Sequence, residues 1–218
     1  MPQPQQISHP QACPAPPFVV LDACVLMSTV QRQLLLRVAE QGVFQPIWTE
    51  RIGEEWRRNA ERVWQVPPEK LANQWADMNQ RFPGAMEPNT APYEVGLRYS
   101  DPKDFHVIAA GLARRARCGL QRPPAVHVMT WNLKDFNRSE LRRQGLRVCT
   151  PDQLLADWWR VESSRLDAAV QAVAVDSVGL GHAPEPLADT LLRERLCRLK
   201  RLIINTPANG GATLANLS

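Results

Sequence analysis

Acidic side chains recur where strands or helices are expected to begin or end, and they are the residues of this sequence best suited to chemistry. They are Asp22, Glu54, Glu55, Asp104 and Asp135, with Asn132 close to the last of them. Carboxylates packed together repel one another, and in a dry site some of them would have to take up protons. A divalent cation removes this repulsion, and oxygen ligands of this kind suit Mg²⁺ or Mn²⁺.

Such a cluster predicts hydrolysis of a phosphodiester. A metal ion held by the acids can orient and activate a water molecule and neutralise charge on the phosphate in the transition state. This chemistry requires no serine or cysteine nucleophile with an adjacent base, and none can be placed from the sequence. The pattern G-x-x-x-x-G-K-[ST] is absent, which excludes a P-loop nucleotide hydrolase.

Short apolar runs alternate with amphipathic stretches, and this alternation predicts the elements that must position the acids. Strands are predicted at Phe18–Asp22, Phe44–Trp48, Ala125–Thr130 and Leu146–Cys149. Helices are predicted over 31–40, after Thr49, around Leu71, Trp75 and Met78, after Asp101, after Thr150, and along Leu192, Leu196, Leu199 and Ile203. The pattern indicates a three-layer α/β fold with a mostly parallel sheet flanked by helices. In such a sheet the strand C-termini and the following helix N-termini share one edge, so the acids should converge there.

The chain divides into four predicted parts. Residues 1–17 are rich in Pro and Gln and are expected to be a disordered leader, and residues 18–160 carry the α/β pattern. The periodicity weakens after Val161, so residues 161–204 are predicted to form a helical C-terminal extension. Residues 205–218 are expected to be a disordered tail.

Composition narrows the class of protein. The hydrophobic fraction of 44% is typical of a globular chain, and the net charge of +4 is compatible with a nucleic-acid partner without proving one. Five cysteines show no C-x-x-C pair, and the four histidines are scattered, so no zinc site is predicted and a reducing cytoplasm is favoured. A secretion signal and a membrane-spanning run are not expected. The predicted location is therefore cytoplasmic.

Each of these residues also has a purely structural interpretation. Asp22 can start a turn, an acid at Asp104 is favourable in a first helical turn, Glu54 and Glu55 can be solvated, and Asp135 can cap a turn. The arginines at 57, 58, 62, 114, 115, 117, 142 and 143 can be solvated helix faces or can grip phosphates. Trp131 can stack on a base or close its loop against the core, whereas Trp48, Trp56 and Trp64 are predicted to be core. The convergence of four acids on one edge favours the functional interpretation.

Several stretches resemble the PIN-domain family, and more narrowly its toxin branch. They are Asp101-Pro-Lys-Asp-Phe-His-Val-Ile-Ala-Ala110, Thr130-Trp-Asn-Leu-Lys-Asp-Phe136, Trp48-Thr-Glu-Arg-Ile-Gly-Glu-Glu-Trp-Arg-Arg-Asn59 and Leu21-Asp-Ala-Cys-Val-Leu26. The resemblance covers about residues 18 to 157, and its Asp101 and Thr130 blocks are the most specific. It implies a PIN-like nuclease domain over 18–160 that acts as a metal-dependent endoribonuclease on RNA.

By this resemblance, the metal-binding acids are Asp22, Glu55, Asp104 and Asp135, and Asn132 is a polar residue beside the metal. Glu55 is chosen over Glu54 because the family's acid directly precedes the stretch that is Trp56–Asn59 here. The implied cofactor is Mg²⁺ or Mn²⁺. The implied partner is a small antitoxin protein, and a homodimer is a further possibility.

Two features depart from the family pattern. Cys24 stands where the family commonly has Asn, so a supporting hydrogen bond is expected to be missing, and the stretch from Arg117 to Ala125 is longer than usual. Two alternatives stay open, namely a housekeeping RNA-processing nuclease and a catalytically weak PIN-like binding module. A phosphatase of the haloacid dehalogenase type is disfavoured because position 24 is not Asp.

Overall fold

Four short strands form one parallel sheet in the computed structural model, which describes residues 15–119 and 124–205. They are β1 (Phe18–Leu21), β2 (Gln45–Ile47), β3 (Val126–Met129) and β4 (Leu146–Cys149). The order across the sheet is β2-β1-β3-β4, and every neighbouring pair is parallel. The prediction of an α/β fold built on a parallel sheet is confirmed.

Helices connect and cover the strands. They are α1 (Ala23–Leu26), α2 (Thr29–Glu40), α3 (Glu50–Trp64), α4 (Pro68–Arg81), α5 (Phe105–Arg117), α6 (Arg138–Arg143), α7 (Pro151–Gly179), α8 (Leu187–Arg193) and α9 (Cys197–Asn205). Short 3₁₀ turns lie at Ala91–Glu94, Pro102–Asp104 and Leu133–Asp135. The predicted caps are confirmed, since Thr49 accepts from the Ile52 amide and Thr150 forms a capping box with Gln153.

Helices lie on both faces of the sheet. Successive strand residues point to opposite faces, and β4 shows both directions. Leu146 faces α5 so closely that a Cβ at Gly111 would lie 2.8 Å from its Cδ2 atom. Arg147 points the other way and pairs with Asp157 of α7 at 3.6 Å. The predicted core tryptophans Trp48 and Trp56 are fully buried, and Trp64 packs against the core from a partly exposed position.

The register of β1 and β3 positions the candidate site. Leu21 pairs with Met129 at the ends of these strands, so the next residues, Asp22 and Thr130, emerge side by side. The Asp22 amide donates to the Met129 carbonyl at 3.1 Å, which continues the ladder by one bond. The chain leaves β1 toward β2 on one side and β3 lies on the other, so this edge is the switch point where ligands bind in such sheets.

The C-terminal leucine stripe was predicted as one helix, and this is wrong. Helices α8 and α9 are separated by a break in which Arg195 has a left-handed φ of 63°. An L-residue in that conformation cannot continue a right-handed helix. Leu196 and Leu199 are buried against this chain, while Leu192 is exposed.

Helix α7 extends much further than the weakening periodicity indicated. It runs to Gly179 through a kink at Glu162, where φ is −137° and ψ is 43°. The predicted boundary between residues 160 and 161 therefore lies inside this helix. Most of the predicted leader (1–17) and tail (205–218), and part of the stretch from Arg117 to Ala125, lie outside the described residues. Among the helices of the described ranges, none combines the length and the apolar character that crossing a membrane requires.

Candidate functional site

A polar pocket of about 730 Å³ opens at the carboxyl edge of the sheet. Residues from α3, from the 3₁₀ turn that precedes α5 together with the start of α5, and from the loop after β3 line it: Arg51, Glu54, Glu55, Arg58, Asp101, Lys103, Asp104, His106, Asn132, Lys134 and Asp135. Every site residue predicted from the sequence except Asp22 belongs to this lining. Three segments that are distant in sequence therefore deliver their acids to one place.

Asp22 does not belong to the pocket lining and is almost completely buried. Its Oδ2 accepts hydrogen bonds from the Thr130 hydroxyl at 2.6 Å and from the Cys24 thiol at 3.1 Å. Burial raises the pKa of Asp22, the two hydrogen bonds oppose that rise, and the charge of Glu55 adds to it. The influence of Glu55 means that the buried acid and the pocket share one electrostatic environment.

Cys24 supports Asp22, in contrast to the expectation that a hydrogen bond would be missing here. Its thiol donates to Asp22, and its sulfur accepts from the Trp131 amide at 3.3 Å. Burial, reinforced by the charge of Asp22, raises the pKa of the Cys24 thiol to about 12, so it stays protonated and able to donate. A cysteine at this position therefore provides a hydrogen-bond donor to the buried acid.

Thr130 connects Asp22 to the loop that carries Asn132. Its hydroxyl is fully buried, donates to Asp22, and accepts from the Asn132 amide at 2.9 Å. Asn132 precedes the 3₁₀ turn that ends at Asp135, and both residues line the pocket. One hydroxyl therefore fixes the deepest acid and the start of the loop that bears another.

Glu55 is half-buried in the pocket, whereas Glu54 is exposed at its margin. The Glu55 Oε2 atom lies 3.4 Å from Nε2 of His106, within ion-pair distance but without hydrogen-bond geometry. The contact with His106 lowers the pKa of Glu55 against the opposing effect of burial, and Arg58 and Arg51 lower it further. Helix α3 places both glutamates in the lining, and Glu55 reaches further in.

Asp104 carries the clearest electrostatic signature of the site. It ends a 3₁₀ turn and begins α5, rather than lying inside the first turn of one continuous helix as predicted. Burial raises its pKa to about 6, and the charges of Asp22, Asp135, Asp101 and Glu55 all raise it as well. Asp22, Asp135 and Glu55 come from three other segments, and Asp101 comes from the same turn as Asp104. The negative charges of all four acids therefore act together on the Asp104 carboxylate.

The loops that carry Asp104 and Asp135 are joined through the backbone. The Asp101 amide donates to the Asp135 carbonyl at 2.7 Å, and the Asp101 side chain caps its turn by accepting from the Lys103 amide at 3.0 Å. The approach of the two acidic loops is therefore a property of the fold and does not depend on a bound ion.

Glu140 supports the segment that leads into the Asp101 turn. Its carboxylate accepts from the amides of residues 98, 99 and 100 at 2.7 to 3.2 Å and from the Ser100 hydroxyl at 2.7 Å. Burial acts to raise its pKa, but these donors outweigh burial and lower it. Glu140 is a structural acid, and it holds the segment from which Asp101 and Asp104 extend.

Cations line the pocket, and three of them form no ion pair with the acids that the structure describes. Arg51 pairs with Glu94 at 3.1 Å. Within the described residues, no ion pair is found for Arg58, Lys103 or Lys134, although all three line the pocket. These charges are available to an anionic ligand.

Three of the other basic residues that were considered as phosphate contacts form ion pairs within the chain. Arg114 is buried and pairs with Glu87 at 2.5 Å, and Arg117 pairs with the same carboxylate at 2.9 Å. Arg57 pairs with Glu50 at 2.6 Å. The interpretation of Arg114 as part of a solvated helix face is wrong, because it ties α5 to the loop after α4.

Trp131 is partly buried against the core, and its ring is covered by a cation. The guanidinium of Arg195, from the break between α8 and α9, lies 4.2 Å from the ring centroid. Trp131 does not line the pocket. The arrangement favours the interpretation that it closes its loop, and it brings the C-terminal helices to the margin of the site.

The donor set suits a hard divalent cation, but the side chains do not form a closed coordination group. In the described ranges, no three or more His, Cys, Asp or Glu side chains are already arranged to hold a metal ion. Mg²⁺ is commonly held by only one or two carboxylates and keeps several waters, so such a group is not required for it. The mutual repulsion at Asp104 is the observation that fits a cation here.

No protein-family model, curated protein or solved structure matches this chain. The geometry of the pocket is consequently the main guide to function.

Three supporting residues were missed in the sequence as functional elements, namely Thr130, His106 and Glu140. Thr130 and His106 lie inside the two motif blocks, directly after β3 and two residues after Asp104. A polar residue beside a strand-end acid is a usable signal for Thr130. Glu140 offered none, because its role depends on a loop 40 residues earlier in the chain.

Proposed function

We propose that this protein is a metal-dependent endoribonuclease with a PIN-like fold. The observation that carries the proposal is the crowding of acids around Asp104, whose pKa of about 6 reflects burial and four neighbouring carboxylates. Clustered acids without enough hydrogen-bond donors are unfavourable in a purely structural role, and a divalent cation removes the repulsion. Residues 161–204 are proposed to be an extension of this domain.

Asp22, Glu55, Asp104 and Asp135 are the residues proposed to hold Mg²⁺ or Mn²⁺, with Asn132 as a polar neighbour. Such an ion, when bound, activates water for attack on a phosphodiester and offsets charge on the phosphate. Thr130 and Cys24 orient the Asp22 carboxylate by donating to the same oxygen. Glu140 fixes the segment before Asp101, which keeps Asp104 close to the other acids.

The pocket cations that form no ion pair within the described residues support a polyanionic substrate. Arg58, Lys103 and Lys134 lie around the acids, where the phosphates on either side of a scissile bond would pass. Binding of a polyanion by these side chains should weaken with added salt. RNA is proposed as the substrate from the resemblance described above, and the open pocket is compatible with a single strand.

Cleavage of single-stranded RNA in the presence and absence of a chelator tests the enzymatic function. We expect EDTA to stop cleavage, Mg²⁺ or Mn²⁺ to restore it, and the products to carry 5′-phosphate and 3′-hydroxyl ends. Cleavage that persists in excess chelator, or products with 2′,3′-cyclic phosphate ends, would contradict the proposal. Binding of RNA with no cleavage under any metal would favour the binding-module alternative.

The biological role that we propose is that of the toxin in a toxin–antitoxin pair in the cytoplasm. A small partner protein could block the pocket by placing a cation, such as an arginine, among its acids. Induced expression without the neighbouring gene should arrest growth, and Asp22→Asn or Asp104→Asn should abolish the arrest. Co-expression of the neighbouring gene should restore growth and yield a complex. Harmless expression of an active wild-type enzyme would favour a housekeeping RNA-processing nuclease instead.

A further inference from the structure

His106 is a buried imidazole with one unsatisfied nitrogen at the acidic pocket. The residue is 2% exposed, and its side chain contributes to the pocket lining. Within the described part of the chain, its Nε2 atom has no hydrogen-bond partner. Buried polar atoms are rarely left unpaired, so this nitrogen requires an explanation.

The other ring nitrogen determines what Nε2 presents to the pocket. Nδ1 lies 2.8 Å from the carbonyl oxygen of Lys103. A carbonyl oxygen only accepts, so Nδ1 carries a proton, and in the neutral ring Nε2 carries a lone pair. Metal-binding histidines are commonly oriented in this way, with the second nitrogen donating to a backbone carbonyl.

The surroundings of Nε2 require a shared cation. The nearest acidic atom is Oε2 of Glu55 at 3.4 Å, on a side chain that is 32% exposed. A lone pair on Nε2 would repel this oxygen, so the contact is favourable only when the two atoms share a cation, either a proton or a metal ion. Two ligands about 2.1 Å from one metal ion are separated by roughly 3.0 Å at a right angle and roughly 3.4 Å at a tetrahedral angle. The observed separation lies at the upper end of this range.

We propose that His106 Nε2 and Glu55 Oε2 are two ligands of one divalent metal ion, and that the nitrogen makes the site favour first-row transition metals over Mg²⁺. Imidazole is a poor ligand for Mg²⁺ and a better one for first-row transition ions, most clearly Fe²⁺, Ni²⁺, Cu²⁺ and Zn²⁺, whereas carboxylates serve both. The inference rests on the metal dependence proposed above and specifies it further, because an all-carboxylate site would lack this preference.

Pulsed electron paramagnetic resonance of the full chain with Mn²⁺ tests the nitrogen ligand directly. Wild-type protein should show a nitrogen hyperfine coupling that changes when the histidines are labelled with ¹⁵N. Mn²⁺ bound without such a coupling would overturn the proposal, and it would indicate that the cation shared by His106 and Glu55 is a proton. This measurement uses wild-type protein alone, so it needs neither RNA nor a substituted variant that can fail to fold.

Calorimetric titration with Mn²⁺ and with Mg²⁺ tests the preference. His106→Gln should weaken Mn²⁺ binding by about 10-fold or more and change Mg²⁺ binding much less. His127→Gln is the matched control, since His127 also has a buried unpaired nitrogen but lies on β3 outside the pocket lining. An unchanged ratio of Mn²⁺ to Mg²⁺ affinity in His106→Gln would contradict the proposal.

A parallel RNA cleavage assay separates the two proposals. Chelator-sensitive cleavage by a protein that shows no nitrogen coupling would overturn the role of His106 and leave the nuclease proposal intact. Failure to bind either ion, together with no metal-dependent cleavage, would overturn both.

Discussion

Asp104 and Glu140 are distant in sequence but belong to neighbouring parts of the fold, and their environments are opposite. Glu140 is surrounded by three backbone amides and one hydroxyl, which together lower its pKa. Asp104 is surrounded by other acids, and its pKa is raised to about 6. Folding thus supplies donors to the carboxylate that supports the loop. Within the described ranges, no hydrogen-bond donor to the Asp104 carboxylate is found, and neighbouring acids raise its pKa.

This contrast distinguishes structural acids from candidate functional acids. Asp152 repeats the Glu140 pattern, since its carboxylate accepts from the first amides of α9, at residues 198 and 199. Asp22 is intermediate, with two donors and a raised pKa. A carboxylate that is surrounded by other acids and has few hydrogen-bond donors is stabilised only when a cation binds. Repulsion among carboxylates therefore indicates a candidate cation site.

The largest expected effect separates Glu55 from Glu54, which differ in how far they reach into the pocket. Glu55→Gln keeps the shape of the side chain and removes a proposed metal ligand, so RNA cleavage should fall by more than about 100-fold. Glu54→Gln, on the exposed neighbour, should change the cleavage rate little. Both rates are measured with saturating metal, after circular dichroism has shown that the variants are folded. The reverse ranking would mean that α3 presents the other glutamate to the metal.

A smaller effect is expected at Glu140, and it should appear in stability first. Glu140→Gln replaces one accepting oxygen with an NH₂ group that faces backbone donors, so the free energy of unfolding should fall by about 2 kcal/mol. Cleavage should also decrease, because the segment before Asp101 loses its anchor. Urea denaturation measures the first effect, and Glu61→Gln, at an exposed position of α3, is the control. A variant as stable as the control would show that the four hydrogen bonds contribute little.

The smallest effect is the difference in pH dependence between the two acids, measured on metal-free protein. The pKa of Glu140 is lowered, so its contribution to stability is present above about pH 4.5 and is lost as the pH falls through its folded pKa. The pKa of Asp104 is raised to about 6, so its contribution to the free energy of unfolding is most favourable below about pH 4, and that contribution is lost as the pH rises through 6. Asp104→Asn should therefore gain stability over wild type between about pH 4 and pH 7.

Urea titrations of wild type, Asp104→Asn and Glu140→Gln in EDTA across this range measure the difference. Mg²⁺ should then stabilise wild type more than Asp104→Asn, because only wild type keeps that acid for the ion. If the free energy of unfolding of Asp104→Asn and of Glu140→Gln, each relative to wild type, changed with pH in the same way, the proposed difference between the two acids would be wrong.

Local sequence signals determined much of this protein. The apolar run before Asp22 and the caps at Thr49 and Thr150 predicted elements that the structure contains, because strand burial and helix capping are short-range effects. Strand–helix alternation then predicted a parallel sheet, which brings the ends of separate strands to one edge. The grouping of Glu55, Asp104, Asn132 and Asp135 around one pocket follows from that edge.

Tertiary structure decided the features that depend on contacts between distant residues. The break at Arg195 and the continuation of α7 past Glu162 were not evident in the periodicity, because packing among α7, α8 and α9 determines where those helices bend. The Cys24 sulfur accepts from the Trp131 amide only because β1 and β3 end side by side. The positions of His106 against Glu55, and of Glu140 beneath residues 98–100, depend likewise on the approach of segments that the sequence alone does not pair. Periodicity reports which face of an element is buried, whereas the partner that it meets there is determined by the whole fold.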